Sequence, residues 1–207
     1  MAREQIGVGT LETLQAHIRM CRRCLNAGHR PAGRPIAGGS ANARLLIVGQ
    51  APSASDDQNR RLWSGPAGRR LLAWLEWAGL PEETLRSRHY LTAITRCYPG
   101  RAPDGHGDRL PSRAEMELCQ PFLQAELALL DPRLVIPVGR LAIDAFGGQG
   151  RALSELIGQA WQVDDTWIVP LPHPSGASLW LNEAEHRAHL ARALAIVREL
   201  CRGLGIA

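Results

Sequence analysis

Short apolar runs separated by polar loops and helical segments are the feature that most limits how this chain can fold. Three of these runs, residues 44–49, 90–95 and 134–139, have the length and composition of buried strands. A hairpin is predicted around Asp164 and Asp165. Apolar strands that alternate with helices favour a mostly parallel sheet covered on both faces. We therefore expect a three-layer α/β/α sandwich around a central, mostly parallel four-stranded sheet.

The length of 207 residues, with 45% hydrophobic and 21% charged residues, is typical of one compact domain, here residues 1–207. No segment has the roughly 18 uninterrupted apolar residues of a membrane span, and the N-terminus lacks an export signal. We therefore expect a cytoplasmic monomer. Lysine is absent and the 24 cationic side chains are all arginine, which suits phosphate binding but is also typical of a GC-rich genome.

Four of the five cysteines are candidates for a metal or cluster site. Cys21 and Cys24 form a Cys-x-x-Cys pair, and Cys97 and Cys119 stand far downstream. Four thiolates from separate segments can hold a zinc ion or an iron–sulfur cluster. A lone pair with two unrelated cysteines, or a redox-active pair, remains the alternative, although no strand precedes the pair. Cys201 lies in an amphipathic tail and is expected to take no part.

Helices are predicted between the strands. In one of them, Ser112 and Glu115 have the spacing of a capping box at the helix start. The segments 50–68 and 98–111 are polar, contain glycine and proline, and are predicted to be loops. The predicted helices span residues 10–20, 67–79, 112–130, 140–146 and 182–200.

Polar residues of unusual type follow the ends of the predicted strands. Gln50, Cys97, Gly139 and His173 all stand at such positions. Because the carboxyl ends of parallel strands meet at one edge of a sheet, we expect these residues to share a ligand-binding edge. Ordinary loop connections are the alternative for each loop taken alone.

Three segments, together with the four cysteines, carry a resemblance to a known family. They are Gly49-Gln-Ala-Pro-Ser53, Trp63-Ser-Gly-Pro-Ala-Gly68 and His173-Pro-Ser175. Their order and spacing resemble the uracil-DNA glycosylase superfamily, and most closely its iron–sulfur family 4 type. The resemblance implies a DNA repair enzyme, a monofunctional DNA glycosylase. Such an enzyme flips a deaminated base, either uracil or a purine such as hypoxanthine or xanthine, out of DNA and hydrolyses its N-glycosidic bond.

The resemblance also assigns the cysteines. Cys21, Cys24, Cys97 and Cys119 match the four cluster ligands of that family, which implies a structural [4Fe–4S] cluster. The same resemblance implies that the protein's partner is DNA. Through this binding we expect the protein to associate with the nucleoid.

The segment from Gly49 to Ser53 matches the family's water-activating loop, usually Gly-Glu-Ala-Pro-Gly. Gln50 replaces the glutamate, and its amide cannot act as a base but could orient a water. Asp56 and Asp57 fall where the family also carries acidic residues, so they are candidates for polarising the water. Solvated turn residues are the alternative for both aspartates. The remaining substrate-binding candidates of this loop are Gly49, Ala51, Pro52 and Ser53.

Trp63 falls where the family places a phenylalanine that stacks on the extruded base, although a core tryptophan is an alternative. His173 matches the histidine that would hydrogen-bond the base as negative charge develops on it. Ser175 would then bind a phosphate, and Leu179 or Trp180 would wedge into the gap left by the flipped base.

The second strand departs from the family pattern, Tyr-x-Thr-Asn-x-x-Lys-Cys, because this chain has Ala93 at the position of the base-reading asparagine. The missing amide predicts a wider pocket and a substrate range beyond uracil. The loop 98–111 is longer than is usual in the family and contains His106 and Arg109. A catalytically silent or covalently trapping DNA-binding protein of the same superfamily is therefore the alternative function.

Overall fold

The centre of the protein is a five-stranded sheet, seen in a computed structural model that describes residues 9–176 and 179–206. The strands are β1 (Leu45–Gly49), β2 (Tyr90–Ala93), β3 (Leu134–Pro137), β4 (Trp161–Val163) and β5 (Thr166–Ile168). Their spatial order is β2-β1-β3-β5-β4. The first three and β5 are parallel, and β4 pairs antiparallel with β5. The expected parallel sheet of four strands is therefore present, and the predicted hairpin adds a fifth strand at its edge.

The central strands are buried on both faces, which explains why their sequences are apolar throughout. Alternate side chains of β1 enter different cores. Leu45 and Ile47 belong to one apolar cluster, whereas Leu46 and Val48 belong to the other. A sheet with a core on each side needs a helical layer on each side, so the predicted three-layer α/β/α architecture is confirmed.

One helical layer contains the first and the sixth helix, and the other contains the fourth, fifth and ninth. A π-helical turn at Asp144–Gly148 and a 3-10 turn at Leu179–Asn182 complete the described structure. No helix within residues 9–176 and 179–206 is long and apolar enough to cross a membrane. The helices are α1 (Leu11–Arg19), α2 (Arg23–Asn26), α3 (Ala54–Asn59), α4 (Pro66–Trp77), α5 (Glu82–Arg88), α6 (Arg113–Leu130), α7 (Arg140–Ile143), α8 (Leu153–Leu156) and α9 (Ala184–Leu204).

The prediction that residues 50–68 form a loop was wrong, because α3 lies within that segment. Its six residues are too few to show an apolar periodicity. The helix instead begins at a capping box, in which the Ser53 hydroxyl accepts from the Asp56 N–H and the Asp56 carboxylate accepts from the Ser53 N–H. The capping box predicted at Ser112 and Glu115 is confirmed at the start of α6.

Candidate active site

A cavity of about 520 Å³ lies at the carboxyl ends of β1 and β2. Its wall contains residues from all three motif segments, 49–53, 63–68 and 173–176, together with Ala93 and residues 106–110. The sheet therefore brings the predicted loops together at one edge. The predicted site residues that line the cavity are Gly49, Gln50, Ala51, Pro52, Ser53, Asp56, Trp63, Ala93, His173 and Ser175.

The two candidate aspartates are placed differently. Asp56 is buried at the cavity, and its carboxylate accepts the backbone N–H groups of Ser53 at 2.9 Å and Ser64 at 2.6 Å. It thereby ties the loop after β1 to the segment that carries Trp63. Asp57 does not line the cavity; its Oδ1 accepts from the Arg34 N–H at 3.0 Å and from Arg60 Nη1 at 2.6 Å.

Gln50 lines the cavity, and its side chain has no hydrogen-bond partner among the described residues. Its backbone carbonyl accepts from the Thr95 N–H at 3.2 Å, which holds the residue against the end of β2. The amide is therefore available to a ligand or a water in the cavity. The structure brings Gln50, rather than Asp57, to the same wall as His173.

Trp63 has an unusual backbone, with a φ angle of 60°. This left-handed conformation is strained for a bulky side chain and persists only where the surroundings impose it. A Cβ on Gly49 would lie 2.7 Å from Trp63 Cζ2, so the ring lies in close contact with the glycine backbone. A Cβ on Gly68 would collide with the Trp63 carbonyl, so the first turn of α4 also needs a glycine.

Arg86 fixes the backbone of the segment that carries Trp63. Its Nη1 donates to the Leu62 carbonyl at 3.1 Å, and its Nη2 donates to the Trp63 carbonyl at 3.4 Å. Glu82 holds the guanidinium through Nε at 2.6 Å. Sequence reasoning missed this arginine, because it acts through backbone carbonyls and belongs to no recognisable motif.

His173 is held through its Nδ1 atom. Nδ1 lies 2.9 Å from Ser175 Oγ and 3.3 Å from the Ser175 backbone nitrogen. Because an N–H group can only donate, Nδ1 accepts and the neutral ring carries its proton on Nε2. Burial lowers the pKa of His173 below its ordinary value, which keeps the ring neutral at pH 7. The ring can therefore offer a neutral Nε2–H donor to a ligand.

Gly139 makes room for this ring. It has a φ of 83°, and a Cβ there would lie 2.9 Å from His173 Cδ2. The sequence showed Gly139 only as a residue after a strand, and the structure gives it the role of a spacer. The Ser175 hydroxyl contacts His173, and its predicted contact with a phosphate stays a prediction.

Ala93 ends β2, where it pairs in register with Gly49, and it is 2% exposed. The preceding residue, Thr92, donates its hydroxyl to Glu126 Oε2 at 2.9 Å. Ala93 lines the cavity with a methyl group, so β2 contributes no polar side chain at the position that the resemblance assigns to base recognition.

The loop 98–111, which follows a strand end and was expected at the ligand-binding edge, contributes residues 106–110 to the cavity wall. The Tyr98 hydroxyl lies 3.0 Å from Asp108 Oδ1, and Arg109 forms two hydrogen bonds of 2.7 and 2.8 Å with Glu115. This hydrogen bonding with Arg109 lowers the pKa of Glu115 to about 2. The loop is thereby fixed to the start of α6, with His106 at the cavity wall.

The four candidate cysteines line a second cavity of about 440 Å³, and no histidine or carboxylate of residues 9–176 and 179–206 lies in its wall. In the metal-free protein, burial and neighbouring thiols raise the pKa of Cys24 to about 11 and that of Cys97 to about 12. Within the described part of the chain, no three histidine, cysteine or acidic side chains lie close enough to hold a single metal ion. Four thiols around one roomy cavity fit the donor set of an iron–sulfur cluster. Cys201 lies apart from them in the apolar core.

Comparison with known proteins agrees with the motifs. A family model described as the uracil DNA glycosylase superfamily matches residues 36–197. A Type-4 uracil-DNA glycosylase of Pyrobaculum aerophilum is 29% identical over 156 residues, covering 73% of this chain and 74% of the relative. A Type-5 uracil-DNA glycosylase of Mycobacterium leprae is 32% identical over 166 residues, covering 66% of this chain and 69% of the relative.

A further Type-4 uracil-DNA glycosylase, from Archaeoglobus fulgidus, is 25% identical over 176 residues and covers 80% of this chain and 82% of the relative. The family model covers well over half of the chain, and its range contains all three motif segments of the cavity. The predicted resemblance is thus confirmed. The chain belongs to the uracil-DNA glycosylase superfamily, whose members are hydrolases of N-glycosyl bonds.

Proposed function

We propose that this protein removes deaminated bases from DNA, uracil first, by hydrolysing the N-glycosidic bond of a flipped nucleotide. The observation that carries the proposal is His173, a neutral donor fixed by Ser175 in a cavity that Trp63 also lines. A preorganised donor of this kind acts where charge develops in the transition state.

Trp63 would bind the extruded base by stacking. The rigid backbone around it, fixed by Arg86 and by Asp56 through Ser64, supports a platform that does not have to reorganise when the base arrives. Stacking on an aromatic face contributes about 1–3 kcal/mol per base and accepts any base. Trp63 therefore supplies affinity, and selectivity has to come from other groups.

His173 would donate from Nε2 to a carbonyl oxygen of the base. As the C–N bond breaks, negative charge moves onto the leaving base and positive charge onto the sugar, which becomes oxocarbenium-like. The hydrogen bond strengthens during this step, because its acceptor gains charge. A neutral imidazole is suited to this role because its proton stays on Nε2 throughout.

Gln50 would orient the attacking water. Its free amide faces the same cavity as His173, whereas the Asp56 carboxylate is already bonded to two backbone N–H groups. An amide cannot take a proton, so the water would react with an already cationic sugar, and its proton would pass to the departing base anion. Asp56 would favour the cationic sugar through its charge, and Asp57 would act only by fixing the loop through Arg34 and Arg60.

Ala93 bears on which bases are accepted. Without the family's asparagine, β2 places a methyl group rather than an amide at the cavity. Hypoxanthine and xanthine carry a carbonyl that His173 could bond, and the smaller side chain gives a purine more room. We therefore include deaminated purines in the substrate range.

The cysteine cavity would hold a [4Fe–4S] cluster through Cys21, Cys24, Cys97 and Cys119. Bound there, the cluster would supply structural cross-linking rather than a step of the hydrolysis. The cysteines come from the segment between α1 and α2, from α2, from the segment after β2 and from α6, so the cluster would join the N-terminal helices to the sheet.

The DNA would approach the cavity edge of the sheet. Leu179 is 72% exposed beyond the His173 motif, whereas Trp180 stacks on His186 with ring centroids 4.1 Å apart. Leu179 is therefore the better wedge for the gap left by a flipped base. The arginine side chains would contact phosphates, which predicts an affinity that falls with salt concentration.

The proposal is tested with oligonucleotides carrying uracil, hypoxanthine or xanthine, in single strands and in matched and mismatched duplexes. A glycosylase leaves alkali-labile abasic sites, which appear as shorter strands on a denaturing gel. A protein that traps DNA covalently would leave a shifted band, and a silent binder would leave the strands intact. Either of the last two results on every substrate would overturn the proposed activity.

A further inference from the structure

Arg96 is a buried cation whose hydrogen bonds are incomplete. It is 2% exposed, and its Nη2 donates to Glu126 Oε2 at 2.8 Å. Its Nε and Nη1 atoms are buried and have no hydrogen-bond partner within the described residues. Buried donors without partners are rare in proteins, and each of them calls for an explanation such as an ion or group that belongs beside it.

The cysteine cavity lies beside this guanidinium. Arg96 contributes to the wall of that cavity, directly precedes Cys97, and donates its backbone N–H to Cys119 Sγ at 3.4 Å. Four thiolates around an iron–sulfur core carry net negative charge, and hydrogen bonds and nearby charges determine how firmly and at what potential such a core is held. A fixed cation at this wall matches that need.

Glu126 explains how the cation is fixed. Its carboxylate is fully buried and accepts from Tyr90 Oη at 3.1 Å, Thr92 Oγ1 at 2.9 Å and Arg96 Nη2. The acid is thus satisfied by three donors from β2 and the segment after it, while it uses only one nitrogen of the arginine. The pair orients the guanidinium and leaves two of its nitrogens, Nε and Nη1, without an acceptor among the described residues.

We propose that Arg96 is a positioning residue for the cluster site, where it compensates the charge of the four thiolates and directs its remaining N–H donors toward them. This inference rests on the proposed [4Fe–4S] cluster at Cys21, Cys24, Cys97 and Cys119. The competing explanation is that Arg96 serves only as the counter-ion of Glu126, and that this ion pair holds α6 against the segment that follows β2.

The test compares variants that separate these explanations. The double substitution Arg96→Met with Glu126→Gln removes both buried charges, so no uncompensated carboxylate remains. Glu126→Gln alone keeps the arginine, and Arg96→Lys keeps its charge but loses the planar fork. Arg113→Met, at an exposed ion pair of α6, is the matched control for loss of a distant arginine.

The readout is the rate at which the cluster-loaded protein releases iron to an excess of chelator under anaerobic conditions. We expect about tenfold faster release from the double variant and an intermediate rate from Arg96→Lys. Glu126→Gln should release iron at close to the wild-type rate, because the amide oxygen can still accept from Arg96 Nη2, and Arg113→Met should release it at the wild-type rate. If the double variant does not fold, the Arg96→Lys comparison carries the test, and a wild-type rate there would count against the proposal.

Wild-type iron retention by a folded double variant would overturn the role of Arg96 and leave it as the partner of Glu126. Failure of the proposed [4Fe–4S] cluster itself would give a different result. If the wild-type chain, reconstituted with iron and sulfide, binds neither, then both the cluster and this inference are wrong. Loss of DNA glycosylase activity alone would not distinguish these cases, so the iron measurement decides.

Discussion

At the scale of single residues, the site depends on the protonation state of one ring. The Ser175 N–H requires an unprotonated Nδ1 on His173, and burial lowers the pKa of that histidine. Protonation would turn Nδ1 into a donor and break this bond. The protonated nitrogen and the orientation of the ring are therefore both set by two groups of Ser175, its hydroxyl and its backbone N–H.

This state predicts the pH dependence of base excision. The neutral ring predominates above the lowered pKa, so the single-turnover rate should be flat from about pH 7 to 8. It should fall as the solution is acidified through an apparent pKa below the ordinary value of about 6.5. The control is His173→Ala, whose smaller residual rate should lack this step. A rate that rises on acidification would show that the protonated ring is the active form.

A second prediction at this scale concerns Ala93 and the choice of base. Restoring the amide by Ala93→Asn should raise uracil excision relative to hypoxanthine excision by roughly ten- to hundred-fold, equivalent to about 1–3 kcal/mol of discrimination. The measurement is single-turnover excision by both proteins on matched oligonucleotides. An unchanged ratio of rates, with a wild type that removes only uracil, would mean that Ala93 does not select the base.

At the scale of elements, the strands and the long helix α6 could be predicted because their signals are local. The apolar runs define β1 and β3, and Ser112 with Glu115 defines the start of α6. The short helices α3 and α5, of six and seven residues, could not be predicted from periodicity. The loop 98–111 was predicted as a loop, but its place at the cavity depends on pairs such as Arg109 with Glu115, which no local pattern shows.

The segment that carries Trp63 is the element whose geometry matters most. Gly68→Ala would place a Cβ against the Trp63 carbonyl at the start of α4. We expect it to destabilise the protein by about 1–3 kcal/mol, typical of overpacking, and to weaken binding of DNA with an extruded base. Urea unfolding and binding to an oligonucleotide with an unpaired uracil measure the two effects.

The matched control is Gly203→Ala, in the last turn of α9, where a Cβ would meet no atom within 4 Å. Alanine there should leave binding unchanged and should stabilise the protein by up to about 1 kcal/mol, because alanine favours a helix over glycine. Equal effects of the two substitutions would show that the contact with Trp63 has no special importance.

At the scale of the whole molecule, one buried histidine, His89, and one half-buried histidine, His173, should make stability depend on pH. Burial lowers the pKa of both His89 and His173, so the unfolded chain binds more protons than the folded one. Their contribution is complete above about pH 6.5 and is lost as the pH falls through the folded pKa values. The free energy of unfolding should therefore decrease from pH 7 to 5, with a smaller decrease in His89→Leu. A stability that increases on acidification would contradict this assignment.

The residues that line the site were largely predictable from their types and motifs. The residues that hold those side chains in place were not. The motifs placed Gln50, Trp63 and His173 at one cavity, as the structure does. Gly139 and Arg86 were not recognised, because one acts by leaving space and the other by holding backbone carbonyls. The predictions of a monomer and of a single domain over residues 1–207 remain predictions.

The central claim is that His173 stabilises the leaving base rather than binding DNA. The most direct measurement is single-turnover excision of uracil by the wild type and by His173→Ala, with the DNA dissociation constant measured for both. We predict a rate lower by about 10²–10³-fold for the variant and a nearly unchanged dissociation constant, because the hydrogen bond gains its strength only as charge develops. An unaltered excision rate, or a loss confined to DNA affinity, would contradict the claim.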